Sequence, residues 1–101
     1  MANVIITLKI MPASPEVNLE TLTEKAIESI RAFVDEKHKE AEIKKEEEPI
    51  GFGLKAIKLI FVMDESRGAT DELEKQIKEI KVDNKEAVQS VEVTDVRRAI
   101  G

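Results

Sequence analysis

The segment at residues 54–63 constrains the fold most strongly, because most of its positions are apolar whichever way a strand would turn them. One alternating set holds Ile57, Leu59, Phe61 and Met63, and the other holds Ala56, Ile60 and Val62. Successive side chains of a strand point to opposite faces of the sheet, so both faces of this strand are expected to be at least partly covered. The segment therefore predicts a central strand.

Two segments near the amino terminus predict a strand and a helix. Alternate positions of residues 4–11 form one apolar face, which predicts the first strand, and Pro12 and Pro15 break the pattern. Apolar side chains then recur at helical spacing, with Asn18 as the expected N-cap. We expect the first helix over residues 19–34.

The remaining segments predict an outer strand, a second helix and a last strand. Residues 36–48 are almost all charged, which suits a turn and a short edge strand that Lys and Glu protect from edge-to-edge pairing. Thr70 is expected to cap a helix whose apolar side holds Leu73, Ile77 and Ile80. The last strand is expected to begin with Val91 and Val93.

The element order β-α-β-β-α-β predicts a ferredoxin-like fold of the α+β class. Two helices would cover one face of a four-stranded, mostly antiparallel sheet. At 101 residues the chain is expected to form a single domain over residues 1–101. The other face would stay open to a partner, and it would hold Ile5, Thr7, Lys9, Lys58, Ile60 and Val62.

The charge balance and the absence of cysteine exclude several classes of function. The 16 Lys and Arg against 21 Asp and Glu give a formal net charge of −5, which opposes binding to phosphate backbones, so we expect no direct contact with nucleic acid. Without cysteine, disulfides and thiolate chemistry are excluded. No apolar run approaches the roughly 20 residues of a membrane-spanning helix, and the opening residues resemble no leader, so we expect a cytoplasmic protein without membrane contact.

No cluster of side chains indicates catalysis, a metal site or a cofactor. His38 is the single histidine and is expected in a solvated loop. Consecutive carboxylates at residues 46–48 would point to alternate sides of an extended chain, so we expect a solvated edge and not a cation site. No serine lies in the Gly-x-Ser-x-Gly motif of a hydrolase nucleophile elbow, and the glycines form no phosphate-binding loop. We therefore expect no enzymatic chemistry and no bound cofactor or metal.

The run Pro49-Ile50-Gly51-Phe52-Gly53-Leu54-Lys55 places an aromatic side chain between two glycines at the entry to the central strand. Gly51 and Gly53 can adopt backbone angles closed to other residues, so Phe52 could be held outward as an anchor for a partner. The alternative is a strand-entry aromatic that covers one end of the core, and the residues alone favour neither. Arg97 and Arg98 are expected in a frayed tail, where charge usually serves solubility.

Together with the segment Val88-Gln89-Ser90-Val91-Glu92-Val93, this run resembles the guanine nucleotide exchange domain of translation elongation factor one-beta, in its short archaeal form. The resemblance covers essentially the whole chain. It implies a ferredoxin-like protein that binds elongation factor one-alpha, a GTPase that delivers aminoacyl-tRNA, and speeds replacement of its GDP by GTP. It implies no cofactor, and the protein is expected to be monomeric alone.

The resemblance also implies which residues bind the partner. Phe52, between Gly51 and Gly53, matches the family's loop phenylalanine, which inserts into the GTPase. Arg98, with Arg97 beside it, matches the place of a basic residue that reaches toward the magnesium and phosphate site. Eukaryotic members carry a lysine there and a tryptophan-bearing segment that this chain lacks. The alternatives are a small-molecule regulatory or oligomerising module and, third, an enzyme of acylphosphatase type, although no arginine-bearing phosphate loop follows the first strand.

Overall fold

A computed structural model describes residues 3–67 and 69–99, and these form one sheet with two helices and a small hairpin. The elements in chain order are β1 (Asn3–Pro12), α1 (Leu19–Phe33), β2 (Lys44–Gly51), β3 (Leu54–Asp64), α2 (Asp71–Lys78), β4 (Lys81–Val82), β5 (Lys85–Glu86) and β6 (Val88–Ala99). Single 3₁₀ turns lie at Glu36–His38 and Glu65–Arg67.

The described strands of the main sheet lie in the order β2-β3-β1-β6, and each neighbouring pair is antiparallel. This arrangement confirms the predicted ferredoxin-like α+β fold, with β3 in the interior and β2 at an edge. The hairpin of β4 and β5 was not predicted, and β6 begins at Val88, three residues before the expected start. Asp83 and Asn84 join β4 to β5 with φ values of 54° and 64°.

One apolar core fills the space between the helices and one face of the sheet. Alternate residues of β1 are buried, so the strand presents a continuous apolar face to α1 and α2. From the other elements the core takes Leu22, Ala26 and Ile30 of α1, Ile57, Leu59, Phe61 and Met63 of β3, and Leu73 and Ile77 of α2.

The two helices begin in different ways. The side chain of Asn18 accepts a hydrogen bond from the Thr21 N–H at 3.1 Å, which confirms the predicted cap of α1. Thr70 does occupy the N-cap position of α2, but its hydroxyl donates to the Glu74 carboxylate at 3.0 Å and caps no backbone N–H. Instead, acidic side chains in the first turn of α2 interact favourably with the positive end of the helix dipole.

The sheet face opposite the helices carries the six residues predicted for it, and all six are half-buried. Lys9 of β1 lies opposite Lys58 of β3 on this face. One carboxylate oxygen of Glu48 lies 3.3 Å from the Lys58 Nζ and 3.9 Å from the Lys9 Nζ. The interpretation of the acidic run as a purely solvated edge was therefore wrong for Glu48, because its carboxylate joins β2 to two lysines of neighbouring strands.

Candidate functional site

The turn between β2 and β3 holds Phe52 in a conformation that few side chains adopt. Gly51 pairs with Leu54, so Phe52 and Gly53 form a two-residue hairpin turn. Their φ values are 54° and 79°, which are those of a type I′ turn, and Gly51 before them has a φ of 122°. Because type I′ turns match the right-handed twist of paired strands, this turn lets the hairpin close tightly.

The two glycines are required for their backbone angles and not for space. A Cβ added at Gly51 would meet no atom within 4 Å, and one at Gly53 would lie 3.7 Å from the Pro15 Cβ, an ordinary contact. Between Pro49 and Gly51 the ladder shifts register, so Ile50 is an extra residue just before the turn.

The side chain of Phe52 is completely exposed, and that of Ile50 is 42% exposed. The alternative in which Phe52 covers the core is therefore wrong. A left-handed φ costs a non-glycine residue about 1 kcal/mol or more, and an exposed aromatic ring gains nothing from burial to offset it. Phe52 and Ile50, the tip pair, together form an apolar projection at one end of the sheet.

Arg97 and Arg98 lie at the opposite end of the sheet, within β6 and not in a frayed tail. Arg98 pairs with Val4 at the start of β1, whereas the hairpin turn lies beyond its last residue, Pro12. Pro12 follows Val4 by eight residue steps along the strand, which corresponds to about 26 Å. The structure thus does not bring Phe52 and the two arginines into one cluster.

A bulge in β6 decides which arginine faces which side of the sheet. Val93 pairs with Leu8 and Asp95 pairs with Thr7, so Thr94 has no partner position of its own. Beyond the bulge, Arg97 lies on the open face opposite Ile5, and Arg98 lies on the helix side opposite Val4. The two arginines therefore project from opposite faces of the same strand.

Each arginine contacts a carboxylate. The Nε of Arg97 lies 2.8 Å from the Asp95 Oδ2, and both belong to β6. The Nη2 of Arg98 donates to the two carboxylate oxygens of Glu65 at 2.6 and 2.9 Å, across 33 residues of sequence. The arginine side chains remain 77% and 68% exposed. Both guanidinium groups are thus partly neutralised yet accessible.

An apolar groove of about 370 Å³ adjoins Arg98 on the helix side of the sheet. Its lining consists of Val4, Ile6, Met63, Glu65, Ala69, Thr70 and Val96. Val96 is 58% exposed, although its neighbours on this face of β1 are buried. Among the described residues, the exposed large hydrophobic side chains are Ile50, Phe52 and Val96, so they mark the two ends of the sheet.

A hydrogen-bonded junction supports the turn that carries Glu65. The Asp35 carboxylate accepts from the Asp64 N–H at 2.8 Å and contacts the His38 Nδ1 at 2.7 Å, and the Asp64 carboxylate accepts from the Ser66 N–H at 2.9 Å. The expectation of a solvated His38 was wrong, since its side chain is only 10% exposed.

The hydrogen bonds of this junction favour the ionised carboxylates. Burial alone would raise the pKa of Asp35, but the bonds from the Asp64 N–H and from His38 outweigh it, so that the pKa lies below its usual value. The bonds from the Ser66 backbone and side chain lower the pKa of Asp64 against the opposing effects of burial and the Asp35 charge. Both groups are therefore charged at neutral pH.

The part of the chain that the structure describes contains no group of three or more His, Asp or Glu side chains arranged to hold a metal ion. Neither described helix is long and apolar enough to cross a membrane.

Comparison with known proteins identifies the family. The model of the EF-1 guanine nucleotide exchange domain matches residues 5–99. The chain belongs to this family. Elongation factor 1-beta of Methanosphaera stadtmanae is 42% identical over 98 residues, which cover 97% of this chain and 98% of that protein. Elongation factor 1-beta of Pyrococcus abyssi is 39% identical over 97 residues, which cover 95% and 94% of the two chains.

Membership in the EF-1 exchange family confirms the relationship that the two motifs predicted, and with it guanine nucleotide exchange in translation elongation. The matches do not favour the alternative of a small-molecule regulatory or oligomerising module. The matched region contains the hairpin turn and both arginines.

Several residues of this site were not singled out from the sequence. Ile50 lies within the glycine-containing run at residues 49–55. Its exposure depends on a register shift that the local sequence does not predict. Glu65 is one carboxylate among many, and its contact with Arg98 depends on the pairing of β1 with both β3 and β6. The hairpin at Asp83-Asn84 did have a signal, because Asp and Asn tolerate the positive φ of type I′ turns.

Proposed function

We propose that this protein binds elongation factor 1-alpha and accelerates replacement of its GDP by GTP, without bond chemistry of its own. The observation that carries the proposal is a fully exposed Phe52 on a strained turn, in a chain of the EF-1 exchange family. Its partner-binding residues would be Phe52 with Gly51 and Gly53 at one end of the sheet, and Arg98 with Arg97 at the other. We expect it to act in the cytoplasm and to be monomeric when alone.

Linkage supplies the physical basis of exchange. A protein that binds the nucleotide-free GTPase more tightly than the GDP-bound form must lower the affinity for GDP by the same factor. Phe52 is suited to such a differential contact, because its ring is already outside the core and no unfolding is needed to present it. The glycines on both sides allow the positive φ values that the turn requires.

Arg98 would contribute through charge. A GTPase holds its nucleotide through backbone donors, a lysine and a magnesium ion. A guanidinium group brought close to that site would weaken the hold on the cation and would bind oxygens that the departing nucleotide leaves exposed. This effect depends on exclusion of water, so the arginine would act only after docking has buried it.

The test is release of fluorescent GDP from elongation factor 1-alpha of an archaeal relative, with the protein present in catalytic amounts. Wild type should accelerate release, and Phe52→Ala should reduce kcat/KM by at least about tenfold, since loss of a central aromatic anchor typically costs 2 kcal/mol or more. Gln76→Ala, at an exposed position on α2, is the control and should match wild type. Equal rates for Phe52→Ala and wild type would refute the role of the ring.

A further inference from the structure

The contact between Arg98 and Glu65 has a geometry that leaves most of the guanidinium available. A guanidinium group has five N–H donors, and here one nitrogen, Nη2, donates to both carboxylate oxygens of Glu65. Among the described residues, no hydrogen bond or ion pair engages the Nε or the Nη1 of Arg98. Three N–H donors therefore remain on the edges that Glu65 does not occupy.

We propose that Glu65 is a positioning residue for nucleotide exchange: it holds Arg98 by one nitrogen and presents the other donors to an oxyanion at the nucleotide site of the GTPase. The inference rests on the proposed function and deepens it. Arg98 is 68% exposed, and an exposed arginine side chain otherwise samples many rotamers. An orienting contact made before docking reduces the entropy that is lost when the donors engage an anion.

The backbone around Glu65 is suited to this role, because it is anchored on both sides. Glu65 begins the 3₁₀ turn that follows β3. The residue before it, Asp64, donates its N–H to Asp35, and the residue after it, Ser66, donates its N–H to the Asp64 carboxylate. Arg98 lies in β6 at an edge of the sheet, where its backbone pairs with β1. The backbone that carries Glu65 is thus held by hydrogen bonds of the residues on both sides of it.

If Glu65 served only to neutralise Arg98, its removal would change the exchange rate in the opposite direction. Loss of the carboxylate would then strengthen attraction to an anionic site and speed exchange. The exposure of the pair argues that neutralisation is weak, since exposed ion pairs contribute up to about fivefold in an equilibrium constant and are screened by salt. The orienting effect rests on the direction of the two hydrogen bonds at 2.6 and 2.9 Å and not on the net charge of the pair.

The experiment is a double-mutant cycle measured by GDP release at saturating GTPase and at limiting GTPase, in about 0.15 M salt. We expect Glu65→Ala to lower kcat about three- to tenfold with little change in KM, because a misdirected donor loses its contact in the exchange complex. In the Arg98→Ala background the same substitution should have no further effect. Glu65→Gln, which keeps an acceptor oxygen but no charge, should lie between wild type and Glu65→Ala.

The Glu36 and Lys39 pair, in the 3₁₀ turn after α1, provides a control outside the proposed partner-binding residues. Glu36→Ala removes a carboxylate from an ion pair, and it should leave kcat unchanged in the wild-type and Arg98→Ala backgrounds. Faster exchange by Glu65→Ala, or an equal loss in both Arg98 backgrounds, would overturn the positioning role while leaving the proposed function intact. A wild-type protein that fails to accelerate GDP release would overturn both proposals.

Discussion

Phe52 is in a backbone conformation that opposes folding stability and serves only the exposure of its ring. Its φ of 54° belongs to the region that glycine and asparagine favour, and its side chain makes no contact that offsets the strain. The local sequence showed that a turn lies here, because glycines flank the ring. It left open whether the ring faces inward or outward, since that depends on how the strands pair and where Ile50 is accommodated.

Replacement of Phe52 by asparagine should separate stability from activity. Asn-Gly is the preferred pair in a type I′ turn, so Phe52→Asn should raise the free energy of unfolding by up to about 1 kcal/mol. The same variant should lose as much exchange activity as Phe52→Ala loses. Thermal unfolding and GDP release measure the two effects. Ile50→Asn is the control, because Ile50 does not have a positive φ and should gain no stability. A less stable Phe52→Asn protein would contradict the assignment of strain.

At the scale of elements, sequence patterns identified the strands better than their registers. The apolar alternation of β1 and β3 was sufficient to predict a buried face, because each strand keeps one phase along its length. In β6 the alternation between the two faces of the sheet shifts by one residue at Thr94. A polar residue is common in a strand, so Thr94 gives no sequence signal of a bulge. Alternation alone would therefore assign Arg97 and Arg98 to the wrong faces.

Deletion of Thr94 should leave the faces of β6 unchanged. Asp95 would then follow Val93 in a regular ladder, so Arg98 would stay on the helix side next to Glu65. We expect stability within about 1 kcal/mol of wild type and an intact Arg98 contribution to exchange.

Deletion of Glu92 also shortens β6 by one residue, and it is the control for this change. It would put Thr94 in place of Val93 on the helix side, and it should cost about 1 to 3 kcal/mol because a hydroxyl replaces a packed methyl group. Equal stability of the two deletion variants in urea unfolding would show that Thr94 is not the bulged residue.

The hydrogen bonds at Asp35 should make the free energy of unfolding depend on pH in the acidic range. The pKa of Asp35 is lowered on folding from a reference value of 3.8, so its stabilising effect is complete above that value and is lost as the pH falls through the folded pKa. Asp35→Asn should reduce the free energy of unfolding by about 1 to 2 kcal/mol at pH 7, because the bonds to a charged acceptor weaken. The difference from wild type should be smaller at pH 2 than at pH 7, because protonation of Asp35 weakens the same bonds in the wild type.

Urea unfolding at both pH values measures the effect of Asp35→Asn. Glu36→Gln is the matched control, since Glu36 stands in the same turn with a 91% exposed side chain and should change little at either pH. A difference between Asp35→Asn and wild type that is as large at pH 2 as at pH 7 would point to a steric cause.

At the scale of the whole molecule, the candidate site consists of two ends joined by a sheet. The described residues extend 42 by 25 by 21 Å, and the hairpin tip and Arg98 lie more than about 26 Å apart along the strands. A single pocket on the GTPase cannot receive both. With both ends in contact with the GTPase, as we propose, the partner would lie along the long dimension of this protein, and the sheet would set the distance between the two contacts.

Because the two ends lie far apart and share no contact within this protein, their contributions to binding of the GTPase should add. We expect the losses in binding free energy for Phe52→Ala and Arg98→Ala, measured by calorimetry with nucleotide-free elongation factor 1-alpha, to sum to that of the double variant within about 0.5 kcal/mol. Ile50→Ala with Phe52→Ala is the contrasting pair, since both side chains project from one tip and should not be additive. Coupling above about 1 kcal/mol between Phe52 and Arg98 would mean that the sheet deforms on docking, and a rigid spacing between the ends would then be wrong.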